Sequence, residues 1–76
     1  MNNNRRKTIR EIMEQIEDLK SSLEECLEEE QESLDNIPEN LQYSERYERA
    51  EEIVSNMEDA VSNLEESLYS LEEAVG

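Results

Sequence analysis

The sequence predicts an all-α protein: an antiparallel two-helix hairpin of coiled-coil type that dimerises into a four-helix bundle. Three observations carry that expectation. From Tyr47 to Val75 the apolar residues alternate spacings of three and four without a slip, which is the a/d seam of a helix packing on another helix. A second apolar stripe runs from Ile9 to Leu34. Between them lies one proline, and the only glycine is the last residue, so two long helices joined by one short break account for the whole chain.

The first helix is expected over about residues 5–35. Thr8 and Glu11 fit a capping box, with Asn3 and Asn4 as alternative caps for an earlier start. Arg5, Arg6, Lys7 and Arg10 put four positive charges at the helix N-terminus, where the macrodipole disfavours them by ~0.3–1 kcal/mol each, so acidic neighbours are required. Ile9, Ile12, Met13, Ile16, Leu19, Leu23, Cys26, Leu27 and Leu34 share an arc of about 140° at 100° per residue, broader than a two-stranded seam. Cys26 is expected in this stripe as a small core residue. Pro38 pushes Ile37 out of the α region and ends the helix near Asp35 or Asn36.

The connector is expected over about residues 36–44. Two readings of it stand: a short helical turn through Leu41 followed by a second helix capped by Ser44, or one continuous helix from Pro38. In the first, Ile37 and Leu41 close the end of the core.

The second helix is expected over about residues 45–75. With Tyr47 at position a, the seam is Tyr47, Ala50, Val54, Met57, Val61, Leu64, Leu68, Leu71 and Val75. Positions e and f are then Glu51 and Glu52, Glu58 and Asp59, Glu65 and Glu66, Glu72 and Glu73: an acidic ladder that repeats every ~10 Å. Position g holds Ile53, Ala60, Ser67 and Ala74, and the outer positions are mostly Ser and Asn.

Folding the helices back to back brings together positions whose numbers sum to about 80, along a rod of ~45 Å. That register places the basic N-terminus beside Glu72 and Glu73, and sets Glu30 opposite Arg46 and Arg49 as a structural ion pair. Both stripes exceed what one partner helix can cover. Ile53, Ala60, Met13 and Leu27 are the expected second interface, filled by a second copy or, as the alternative, docked on a different protein.

Composition narrows function. Twenty-two acidic residues against seven basic ones, with no histidine, give a net charge of −15. Such a surface repels nucleic acid and anionic lipid and attracts basic protein surfaces, so neither direct nucleic-acid binding nor membrane association is expected. One cysteine makes no internal disulfide, and no apolar run suits a membrane span or signal peptide.

Catalysis lacks its parts: Cys26 has no histidine to activate it, and carboxylate-bridged metal bundles need Glu-x-x-His pairs. No enzyme activity, metal or cofactor is expected. The functional candidates are the acidic ladder, as the site for a partner with a basic surface, and Tyr43 and Tyr69 as interface aromatics. Mimicry of DNA by that ladder rests on charge density, because a repeat of ~10 Å does not follow the phosphate spacing.

The connector segment DNIPENLQYSERYERAEE resembles a stretch of short, acidic, all-helical proteins of Firmicutes and of their phages and mobile elements. The resemblance covers about a quarter of the chain, implies a bacterial or phage origin and carries over no functional residues. With the single cysteine and no apolar run for a span or signal peptide, the expected setting is the cytoplasm of the host cell. The function expected is that of a small phage or mobile-element protein that binds and inhibits a host protein, such as a defence or nucleic-acid-handling enzyme. The alternative is a self-associating scaffold hairpin whose acidity serves solubility alone.

Overall fold

A computed structural model describes all 76 residues as two helices packed against each other in a hairpin. Helix α1 spans Asn3–Asp35, a short 3-10 turn spans Glu39–Leu41, and helix α2 spans Glu45–Val75. The molecule is a rod of 59 × 15 × 13 Å in Cα extent, longer than ~45 Å because α1 begins earlier than expected and the connector adds to the tip.

The start of α1 corrects the capping-box expectation. Asn2 is the cap: its side-chain oxygen accepts from the Arg5 amide at 2.8 Å. Thr8 lies inside the helix, and its hydroxyl donates to the Asn4 carbonyl at 3.1 Å. An asparagine at the cap satisfies an otherwise orphaned amide as well as threonine does, and the earlier start adds helical hydrogen bonds.

The connector follows the first of its two readings. The Asn36 amide closes α1 on the Glu32 carbonyl at 3.1 Å, Pro38 leads into the 3-10 turn, and the Leu41 amide donates to the Pro38 carbonyl at 2.9 Å. Ser44 then caps α2, its hydroxyl oxygen accepting from the Tyr47 amide at 3.2 Å while the hydroxyl donates to the Leu41 carbonyl at 2.7 Å. Ile37 is half-buried at the end of the core, whereas Leu41 stays exposed.

All nine seam positions of α2 are buried or half-buried, and Val54, Val61, Leu68 and Val75 are four of the five buried residues of the molecule. These four are consecutive a positions, where a seven-residue period meets a neighbouring helix once every two turns.

The α1 stripe is narrower than expected. Its inward residues are Arg6, Ile9, Met13, Ile16, Lys20, Leu23, Leu27, Gln31 and Leu34, again mostly three or four apart. Ile12, Leu19 and Cys26 point away from the seam, with Leu19 66% exposed. One partner helix covers only a part of a 140° arc, so residues on its rim stay in solvent. Cys26 is therefore an exposed rim residue and not a core one. Met13 and Leu27, expected at a second interface, belong to the seam instead.

Two charge expectations also change. Glu30 is exposed and makes no ion pair with Arg46 or Arg49; Arg49 reaches Glu52 on its own helix at 3.3 Å. Being in solvent, Glu30 needs no partner inside the hairpin. At the other end Arg6 donates to the Asn3 side chain at 3.1 Å, and no ion pair links the basic turn to Glu72 or Glu73. Arg10 and Glu72 nonetheless line the same groove.

Candidate partner-binding surface

The burial pattern fixes the heptad of α1: Arg6, Met13, Lys20, Leu27 and Leu34 occupy the a row that matches Tyr47, Val54, Val61, Leu68 and Val75 of α2. In an antiparallel pair the e rows of the two helices adjoin along one edge and the g rows along the other. The hairpin therefore has two different edges.

The e edge is acidic on both sides. Glu51, Glu58, Glu65 and Glu72 line it from α2, with Glu52, Asp59, Glu66 and Glu73 just outside them, and all eight are exposed. The contribution of α1 was not part of the sequence expectation. Near the turn, Glu24, Glu28, Glu32 and Asp35 share an open groove with Glu58, floored by Leu27 and Val61. Towards the open end, Glu14, Glu17 and Asp18 share another with Arg10 and Glu72, floored by Met13 and Leu68. The ladder is thus one wall of a two-walled acidic groove.

Lys20 divides that groove. It sits at an a position with its side chain only 17% exposed, and its amine reaches Glu65 at 3.7 Å and Glu17 at 3.9 Å. A long aliphatic stem lies along the seam while the charge emerges at its edge. The sequence stripe passed over position 20, because a lysine among isoleucines and leucines does not register as apolar. The acidic pattern on both sides of it was the available signal.

The g edge is almost free of acids. Ile12, Leu19 and Cys26 of α1 run beside Ile53, Ala60 and Ser67 of α2. Near the turn, Ser33 and Arg46 line a common groove with Glu30, which locates this edge opposite the acidic one. Of the expected aromatics, Tyr43 is 93% exposed at the turn and Tyr69 is exposed on the outer face of α2, so the fold does not bring them to one site. Tyr47 is in the seam.

No three acidic or thiol groups converge in a way that would hold a metal ion, and no helix is long and apolar enough to cross a membrane. No protein-family model matches the chain, and neither a curated protein nor a solved structure is significantly similar to it.

Proposed function

We propose that this protein works by binding: its acidic edge docks on the basic groove of a host protein and blocks it, as a phage or mobile-element inhibitor of a defence or nucleic-acid-handling enzyme would. The segregation of charge carries this reading. Most of the 22 acidic residues lie off the g edge, and solubility alone does not require one edge to be nearly cleared of them. A net charge of −15 over 59 Å is about one charge per 4 Å, close to the 3.4 Å of a single nucleic-acid strand. The chain as a whole thus approaches a nucleic-acid strand in linear charge density, and its acidic edge competes for surfaces built to hold one.

A second reading, self-association, is favoured by exposed surface. A compact protein of 9.0 kDa exposes about 4,850 Å², whereas this hairpin exposes 6061 Å² and none of its larger side chains is fully buried. The two readings are compatible, and we take the working form to be a homodimeric four-helix bundle.

The test of the acidic edge is capture from host lysate by the tagged wild-type chain and by a variant carrying Glu51→Gln, Glu58→Gln, Glu65→Gln and Glu72→Gln. A partner held by the wild type, released by salt and lost with the variant supports the proposal. A partner held equally by both overturns it.

A further inference from the structure

The g edge is the one long surface that a chain of net charge −15 can offer to another copy without opposing carboxylates. Glu29 and Glu30 reach it at the turn end, where Arg46 and Arg49 also lie, and Glu66 stands at its outer flank beside Ser67. Its apolar residues are unevenly distributed. The α1 side is large, with Ile12, Leu19 and Cys26, and the α2 side beyond Ile53 is small, with Ala60 and Ser67. The hairpin is 59 Å by 15 Å in Cα extent, so this face is large enough to supply the ~800 Å² of accessible surface that each partner of a standard interface buries.

We propose that this face pairs with the same face of a second copy, turn end beside turn end, so that α1 of each protomer packs on α2 of the other. The inference rests on the homodimer reading above and gives it an interface and an orientation. Two features select the orientation. A two-fold axis along the rod sets Leu19 over the partner's Ala60 and Ile12 over the partner's Ser67, bulk against space on both sides of the axis. The same axis sets Glu29 and Glu30 over the partner's Arg46 and Arg49, giving Glu30 between protomers the cation it lacks within one. The opposite orientation stacks α1 on α1, Leu19 against Leu19, and leaves both arginines over uncharged Leu71 and Ala74.

This pairing has a consequence for the acidic edge. The dimer carries −30 over the same 59 Å, about one charge per 2 Å against one per 1.7 Å for duplex DNA, with both acidic edges outward.

Mixing tests the orientation in trans. One variant carries Glu29→Arg and Glu30→Arg, the other Arg46→Glu and Arg49→Glu. Each alone sets like charges against like across both contacts, so its dimer dissociation constant should rise ~10-fold or more. Mixed in equal amounts, the two form a heterodimer at least as tight as the wild-type homodimer, read by native mass spectrometry. A wild type that dimerises while the mixture shows no preference for the heterodimer overturns the proposed orientation and leaves the homodimer reading standing. A wild type that stays monomeric at hundreds of micromolar in analytical ultracentrifugation overturns both. A spin label introduced by Tyr43→Cys in a Cys26→Ser background reports independently: label pairs within about 35 Å support turn-beside-turn packing, and pairs near the rod length of 59 Å contradict it.

Discussion

The two edges of this hairpin are made by the same two helices, seven residues to the repeat, and differ in nearly every other respect. Along the e edge, carboxylates from both helices face each other across an open groove and are interrupted by Lys20 in the middle and Arg10 towards the open end. Along the g edge, Ile12, Leu19 and Cys26 run beside Ile53 and Ala60, and the acids stop. Self-repulsion on the first costs stability, and exposed apolar surface on the second wastes it. The proposed function and the proposed dimer account for both, one edge presented and the other covered.

That contrast collapses entirely if the seam between the helices fails. Val61→Asp puts a carboxylate at a buried a position and should cost more than about 4 kcal/mol, a loss that a hairpin with five buried residues does not survive. Circular dichroism should show the helical signal lost in dilute solution, and Leu64→Asp should act in the same direction. Retention of native helicity by either variant would mean that the two helices are not held by this seam.

The edges themselves separate under milder changes. Leu19→Asp should raise the dimer dissociation constant by ~100-fold, since it buries a charge in an apolar contact, while leaving capture of a basic partner intact. Replacing Glu51, Glu58, Glu65 and Glu72 by Gln should do the reverse, abolishing capture and tightening the dimer as repulsion falls. If one variant impaired both activities equally, the edges would not be independent.

How much of this was legible beforehand depended on how regular each helix is. The seam of α2 reads directly from sequence because nine apolar positions follow one strict period. The α1 stripe misleads because Ile12, Leu19 and Cys26 are as apolar as the true seam, and only the curvature of a partner helix decides which side of a 140° arc is covered. Lys20 was missed for the opposite reason, an inward position held by a charged residue whose stem alone is buried. The acidic ladder of α2 was visible as a repeat. Its opposing wall on α1 was not, because Glu14, Glu17, Glu24 and Glu28 become a groove only once the register is fixed.

Smaller effects sharpen the account of the ends and the middle of the groove. Ser44→Ala removes the cap of α2 and should cost ~1 kcal/mol, lowering the melting temperature by about 4–8 °C, whereas Thr8→Ala, inside α1, should change little. Lys20→Met keeps the stem and deletes the charge. The contacts to Glu17 and Glu65 are long and both carboxylates are more than half exposed, so stability should move by less than about 1 kcal/mol while the groove becomes continuous and more acidic.

The central claim, that self-association uses the edge without acids and leaves the acidic edge free, is tested most directly by sedimentation equilibrium of the wild-type chain from ~50 mM to 1 M salt, across which the Debye length falls several-fold. Two protomers of −15 each repel over their whole length, and that outweighs the few ion pairs at the turn end. Dimerisation should therefore tighten steadily as salt rises. A dimer that loosens steadily with salt would mean that attraction between opposite charges, and not an edge cleared of acids, holds the two copies, and would contradict the central claim.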